Sequence, residues 1–246
     1  MTTPGVTLIG TVRIGQRRQG PTDYGQGGWS ASRLANFMPG PTTVRLLAHV
    51  PLERDLHVVE AGEGLDLMDP ADGRLIMAAR PWVPDPPKTA PVSIAEARAA
   101  RARCPFANER HPVPFCFSCG LQPDSMNTHA GPLGDGRVAT DWRPPAWAVD
   151  DDGAVDAGVI WAALDCASGF YVSADGEKQI SFTAQYAVEV LTPLDPSETY
   201  AIVAWSGEAP AAWDGRKRRA AAAAFDSRGR MTAYARSFWV AAREQP

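Results

Sequence analysis

The sequence predicts an α+β protein built from two copies of one unit, each with a central helix and several antiparallel strands. Three landmarks occur twice, in the same order, along the 246 residues. A glycine opens a short apolar helix, an alternating strand runs into a Pro-Leu-acidic turn, and a glycine-containing hairpin turn leads into a final strand. Ordered recurrence of this kind indicates an internal duplication. Strands joined by hairpins, with a helix set apart from them, are typical of the α+β class.

The two copies of each landmark can be read directly from the sequence. The helix landmark stands at 27–35 and 158–165, the strand landmark at 44–53 and 186–195, and the hairpin landmark at 72–80 and 228–236. The separation between copies grows along the chain, which predicts loop insertions in the second copy. The run from Ala220 to Ala224 has a high intrinsic helix propensity. The repeat places a strand there, and we predict the strand.

A proline-rich connector separates the two copies. Four prolines between 84 and 91 break regular structure. Ser93-Ile94-Ala95-Glu96 is typical of a capping box, and we expect it to open a short helix to about Arg103 that bridges the units on the surface. The predicted organisation is therefore an N-terminal unit over 1–82, a connector over 83–113 and a C-terminal unit over 114–246.

Composition excludes several classes of function. The formal net charge is −4, so the chain lacks the basic footprint of a nucleic-acid-binding protein. No apolar run approaches the roughly 18–20 residues that span a bilayer. The first ten residues lack the basic and apolar regions of a secretory leader, and four cysteines in a chain of this size do not suggest a disulfide scaffold. We therefore expect a cytoplasmic protein with reduced thiols and neither nucleic-acid nor membrane partners.

The segment from Asp156 to Asp165, Asp-Ala-Gly-Val-Ile-Trp-Ala-Ala-Leu-Asp, resembles the "HGG…LxD" helix of hot-dog acyl-CoA thioesterases. The stretches 215–218 and 237–240 look like the closing strands of thioesterase-like families. The resemblance implies a tandem double hot-dog, in which two curled antiparallel sheets each wrap a central helix. The sequence departs from the motif at its histidine, because Asp156 and Ala157 occupy that neighbourhood. Ala35 stands where the first copy would carry an acid, so we expect a degenerate N-terminal unit and an active C-terminal unit.

Asp165 is the predicted catalytic residue. A thioester hydrolase needs a carboxylate near the carbonyl carbon, as nucleophile or as general base on a water. It also needs donors for the developing oxyanion, and helix N-termini supply such backbone amides. We therefore predict that the amides of Gly158 and Val159 hold the thioester carbonyl. The expected substrate is an acyl-coenzyme A or related thioester, hydrolysed without a cofactor.

Several residues near Asp165 are weaker candidates. Cys166 is expected to be a small buried thiol rather than a nucleophile. Four polar residues downstream have the chemistry to orient a water or the acyl carbonyl: Ser168, Ser181, Thr183 and Gln185. The basic run from Gly215 to Arg219 suits the phosphates of coenzyme A, or a solvated strand edge. His49 and His57 fall in strand patterns and are expected at the surface or half-buried.

Cys116 and Cys119 form a Cys-x-x-Cys pair, a spacing that suits a tetrahedral metal ion when two further ligands are present. Cys104 and His111 lie upstream, and His129 lies downstream. A zinc site built on Cys104, His111, Cys116 and Cys119 is therefore one alternative. A turn with small packed cysteines is the expected one, and a redox pair is the third, although no thioredoxin-like context surrounds it.

Two other functions remain open at this stage. The missing histidine and the degenerate first unit favour a non-catalytic acyl-ligand or interaction protein. A hydratase or dehydratase of the same fold is the third alternative, and no Asp-x-Asn-Pro-x-His signature is present to support it. Because hot-dog units pair through their sheets, a homodimer of the fused chain is a further expectation.

Overall fold

The computed structural model describes residues 7–173, 180–206 and 215–242, and within them eleven strands form one antiparallel sheet. The strands are β1 (Leu8–Arg13), β2 (Thr42–Leu46), β3 (Asp55–Ala61), β4 (Gly64–Met68), β5 (Leu75–Pro81), β6 (Gly131–Pro132), β7 (Val138–Trp142), β8 (Ser181–Val190), β9 (Tyr200–Trp205), β10 (Lys217–Phe225) and β11 (Met231–Ala241). The helices are α1 (Gly27–Ala35), α2 (Ile94–Arg101) and α3 (Gly158–Val172). The predicted α+β class with an antiparallel sheet is confirmed.

The strand order shows the same arrangement in both halves of the sheet. From one edge to the other the order is β1-β3-β4-β5-β2-β8-β11-β10-β9-β7-β6. Inside the two-residue edge strand β6, the strands of the second half run inward as β7-β9-β10-β11-β8 and repeat the order of β1-β3-β4-β5-β2. The halves meet where β2 pairs with β8, through Thr43 with Ala187, Val44 with Tyr186 and Arg45 with Gln185.

Helices α1 and α3 pack against each other on one face of this sheet. Every residue of α3 except Gly169 is buried, as expected for a helix that is apolar on all sides. Along β10, Ala222 and Ala224 belong to the core beneath α3, whereas Ala223 faces a second core on the other side. The period of two along a strand thus gives the sheet two covered faces in this half.

Helix α2 covers the second face. Its predicted capping box is present, because the Ser93 hydroxyl accepts from the Glu96 amide and the Glu96 carboxylate accepts from the Ser93 amide. The expectation of a surface bridge needs correction. Ala97 and Ala100 are fully buried against β7 and β9, since small side chains let the helix approach the sheet closely.

The landmarks correspond to elements, with one difference in length. Helices begin at Gly27 and Gly158, and the alanine run is a strand paired on both sides by β9 and β11. The first strand landmark ends as a strand at Leu46, although the amides of Leu47 and Ala48 still donate to the Ile76 carbonyl of β5. Residues 1–6, at the start of the predicted N-terminal unit, and 243–246, at the end of the C-terminal unit, lie outside the described residues. The first group makes up most of the ten residues in which features of a secretory leader would stand. None of the helices described is long and apolar enough to cross a membrane.

Candidate functional site

The carboxylate of Asp165 lies at the contact between α3 and the N-terminus of α1. The residue is 3% exposed, and three donors from distant parts of the chain meet its two oxygens. The Gln26 side-chain amide and the Gly28 backbone amide donate to Oδ2 at 2.6 and 3.0 Å. The Thr183 hydroxyl donates to Oδ1 at 2.8 Å. A buried carboxylate is tolerable only with such partners, and here they also fix its orientation.

Gln26 links the carboxylate to the end of α1. Its Oε1 accepts from the Trp29 amide at 2.7 Å and so caps the helix, while its Nε2 donates to Asp165. Among the described residues the Gly27 amide donates no hydrogen bond, as expected for one of the N–H groups in the first turn of a helix. The helix tip therefore presents a partial positive charge and a free donor beside the carboxylate.

Gly28 is required for this close approach. A Cβ on Gly28 would lie 2.5 Å from the Trp161 carbonyl oxygen and 2.7 Å from the Asp165 Cβ. The backbone of α1 therefore touches α3 at the turn that carries the acid. The Tyr186 hydroxyl donates to the same Trp161 carbonyl at 2.8 Å, which ties β8 to this contact.

The protonation of Asp165 is displaced from that of an exposed aspartate. Burial raises its pKa to about 7, even though the hydrogen bonds from Thr183, Gly28 and Gln26 favour the ionised form. Desolvation is therefore the dominant influence on this group. A carboxyl group whose pKa is displaced in this way, beside a cavity, is typical of a functional site.

A cavity of about 460 Å³ opens beside the carboxylate. Polar groups converge at one end, where Gln26, Gly27, Asp165 and Thr183 form the wall. Most of the remaining wall is apolar and includes Leu46, Val50, Phe170, Phe182 and Trp239. A cavity of this size, apolar with a few convergent polar groups, is typical of a small-molecule site.

The amides predicted to hold the carbonyl lie elsewhere. The Gly158 amide donates to the Asp156 carboxylate at 2.8 Å, and the Val159 amide donates to the Asp156 carbonyl at 3.1 Å. Neither residue lines the cavity. Seven residues of helix separate Gly158 from Asp165, which at about 1.5 Å per residue is about 10 Å. One carbonyl cannot meet both, and the amide that meets Asp165 is that of Gly28.

The N-terminus of α3 corresponds to the tip of α1 that contacts Asp165, and there a salt bridge between Arg33 and Asp156 occupies the equivalent position. A Cβ on Gly158 would collide with the Arg33 guanidinium, just as one on Gly28 would meet Asp165. Arg33 donates to both oxygens of Asp156 at 2.5 and 2.9 Å and lies over the Trp29 ring at 4.2 Å. The alignment of the two copies in sequence places Ala35 at the position equivalent to Asp165. The side chain that faces the second helix tip is instead the cation Arg33.

Three cysteines come together in the cavity wall. The sulfur atoms of Cys116, Cys119 and Cys166, hereafter the thiol cluster, all lie within 4.8 Å of one another. Hydrogen bonds from the Cys119 and Cys166 thiols hold the pKa of Cys116 well below its usual range, and this coupling raises the pKa of the other two. Cys104, proposed from spacing as a fourth partner, is outside the cluster, whereas Cys166 from α3 is part of it. Cys166 is buried, as predicted.

The remaining sequence candidates divide between the cavity and other places. Thr183 and Ser181 line the cavity, whereas Gln185 donates to Thr43 on the sheet and Ser168 is buried inside α3. Within the basic run only Arg216 lines the cavity. Arg218 is buried, and its guanidinium donates to the Val172 carbonyl.

Sequence reasoning missed Gln26 and Gly28 as donors to Asp165 and His49 as a cavity residue. His49 stacks on Tyr24 with ring centroids 4.3 Å apart and lines the cavity. A signal for the first two was present, because Gln26-Gly27-Gly28 carries the paired glycines that the second copy lacks. The sequence predicts the donor amides and the acid on one helix, whereas the structure places the donors Gln26 and Gly28 at the start of α1 and the acid on α3.

No family model and no curated protein matches the chain. Solved structures do match it. A candidate thioesterase from Novosphingobium aromaticivorans DSM 12444 aligns with a TM-score of 0.61 over 98% of this chain and 100% of its own, at 13% identity. A candidate oleoyl thioesterase from Lactobacillus plantarum aligns with a TM-score of 0.58 over 98% of this chain and 99% of its own, at 9% identity. The fold is thus the hot-dog fold of thioesterase-like structures.

Proposed function

We propose that this chain, which has the hot-dog fold of thioesterase-like structures, hydrolyses an acyl thioester such as an acyl-coenzyme A with Asp165 as its essential carboxylate. The observation that carries the proposal is the Asp165 carboxylate held against the glycine-paired tip of α1 at the polar end of an apolar cavity. An acyl group suits the apolar wall, and a carbonyl suits the end where backbone donors converge.

The architecture proposed is a tandem double hot-dog with units over 1–82 and 114–246 and a connector over 83–113. The repeated strand order and the full-length alignments to two thioesterase-like structures support it. In this arrangement the first unit contributes the helix tip, with Gln26 and Gly28, and the second contributes Asp165 and Thr183. Both units are then needed for one site.

In the proposed reaction the Gly27 amide donates to the thioester carbonyl oxygen and stabilises the charge that develops there. Asp165 takes a proton from a water molecule as the water oxygen attacks the carbonyl carbon. The carbon–sulfur bond then breaks, and the thiolate takes from Asp165 the proton that the water gave up, so that the products are a carboxylic acid and a free thiol. Gln26, Gly28 and Thr183 position the carboxylate throughout.

The cationic side of the cavity supports a coenzyme A conjugate as the substrate. Arg216 lines the cavity wall, with its Nε donating to the Ala241 carbonyl at 2.7 Å. That bond uses one of the five N–H donors of the guanidinium, and the group suits a phosphate. We propose Arg216 as a contact for the phosphates of the carrier, whereas the rest of the basic run lies outside the cavity wall.

The test is thiol release from a panel of acyl-coenzyme A substrates by the wild type and Asp165→Asn. The asparagine keeps the size of the side chain and removes the base, so kcat should fall by about 10²–10⁴-fold. The control is Asp156→Asn, which removes a carboxylate from the other end of α3 and should keep most of the turnover. Equal turnover by wild type and Asp165→Asn would contradict the proposal. Thioester binding without thiol release would indicate a non-catalytic acyl-ligand protein instead.

A further inference from the structure

The thiol cluster has the geometry of a metal site. In a tetrahedral zinc site the sulfur atoms stand about 2.3 Å from the ion, which places two sulfurs about 3.8 Å apart. The Cys116 and Cys166 sulfurs are 3.8 Å apart, and all three sulfurs of the cluster lie within 4.8 Å of one another. All three residues are buried. Three ligands that are 3 to 50 positions apart in the sequence thus meet at one point.

The loop that carries Cys116 and Cys119 is shaped as a tight knuckle. The Gly120 amide donates to the Cys116 carbonyl at 2.6 Å, and a Cβ on Gly120 would collide with that carbonyl, so the turn requires glycine. The knuckle therefore holds the Cys116 and Cys119 sulfurs beside each other.

A second observation beside the cluster points to an absent ligand. His111 lines the same cavity and is 5% exposed. Its Nδ1 accepts from the Val113 amide at 3.0 Å, so the proton of the neutral ring is on Nε2, which is buried without a hydrogen-bond partner. The neighbouring His129 is satisfied, because its Nε2 bonds to the Cys119 carbonyl at 2.8 Å. An unpartnered buried N–H donor is costly, and an acceptor bound to an ion, such as a water molecule in its fourth position, is one way to satisfy it.

We propose that Cys116, Cys119 and Cys166 bind a thiophilic divalent ion of the zinc class, with its fourth position facing the cavity wall that carries His111. Thiolate ligands select such ions over magnesium or calcium. The site joins the loop after α2 to the middle of α3 and stands beside the thioester cavity. It adjoins the proposed hydrolytic centre, because the Gln26 Nε2 that donates to Asp165 also donates to the Cys166 sulfur at 3.6 Å, but the proposed reaction takes neither its base nor its oxyanion donor from the cluster.

The experiment titrates reduced, metal-free protein with Co²⁺ alone. The wild type should bind one equivalent and develop a thiolate-to-cobalt charge-transfer band that Zn²⁺ abolishes by displacement. Cys166→Ala should weaken Co²⁺ binding by at least about 100-fold, since it removes a direct ligand. Cys104→Ala, which changes a buried cysteine outside the cluster, is the matched control and should bind as the wild type does.

A second measurement needs no variant and so does not depend on Cys166→Ala folding. X-ray absorption at the zinc edge of zinc-loaded wild type should show three sulfur neighbours at about 2.3 Å. Reduced wild type that takes up no cobalt, or a zinc shell without three sulfurs, would overturn the metal site. Neither result bears on thiol release, so this proposal and the hydrolase fail separately.

Discussion

At the scale of single residues, the sequence identifies the acid but not its partners. Asp165 stands out because a carboxylate directly after an apolar helical run is costly to bury without a purpose. Its donors Gln26 and Gly28 lie 139 and 137 positions away. Local spacing cannot reveal such partners, because they depend on how α1 crosses α3. The same reason explains why Cys166 was not grouped with Cys116 and Cys119.

Asp69 is a second buried acid, and it gives stability a defined pH dependence. Its side chain is fully buried, accepts from the Ala71 amide at 3.0 Å and pairs with Arg54 at 2.5 Å. Burial alone raises the pKa of Asp69, but these hydrogen bonds outweigh burial and the pKa is lowered. A lowered folded-state pKa means that the stabilisation is present above the unfolded pKa of about 3.9 and is lost as pH falls through the folded value.

We therefore expect Asp69→Asn to be less stable than the wild type at neutral pH. The difference between their free energies of unfolding should become smaller below about pH 4. Urea unfolding at a series of pH values between neutrality and acid measures the free energy of unfolding of both proteins. The control is Asp72→Asn, a change at a half-exposed acid in the same turn. A difference between Asp69→Asn and wild type that stays constant with pH would contradict the assignment.

At the scale of elements, the internal repeat predicts the secondary structure better than the intrinsic propensities of the residues do. The alanine run of β10 favours a helix in isolation, yet pairing with β9 on one side and β11 on the other makes it a central strand. The starts of α1 and α3 and the capping box of α2 also follow from the sequence. The place of α2 does not follow, because alanines at its buried face carry little periodic hydrophobic signal.

The contact between α1 and α3 depends on the absence of a side chain at Gly28. We expect Gly28→Ala to lower the free energy of unfolding by about 1–3 kcal/mol, because the added carbon meets the Trp161 carbonyl. Thiol release should fall as well, since the helices move apart at Asp165. Chemical denaturation and turnover together measure both effects.

The control for that variant is Gly40→Ala. A Cβ at Gly40 would have nothing within 4 Å, so this variant adds the same carbon without a collision. Stability of Gly28→Ala equal to that of Gly40→Ala would show that the helices tolerate a wider separation than the structure indicates.

At the scale of the whole molecule, the two halves share one sheet and the larger of its two cores. A single apolar cluster contains residues from both α1 and α3 and from strands of both halves, for example Leu34, Val44, Leu164 and Tyr186. We expect the chain to unfold in one cooperative transition. Tryptophan fluorescence and far-ultraviolet circular dichroism should give coincident urea curves. Two separated transitions would show that the halves are independently stable domains.

The two halves that pair through β2 and β8 belong to one polypeptide, and this has one more consequence. In two separate chains, a helix tip and an acid of this kind would meet only at concentrations that drive association. Here one polypeptide carries Gln26 and Asp165, so each is held near the other at the high effective concentration of a tethered pair. A reaction centre assembled in this way persists at extreme dilution, and its rate per molecule is independent of how many molecules surround it.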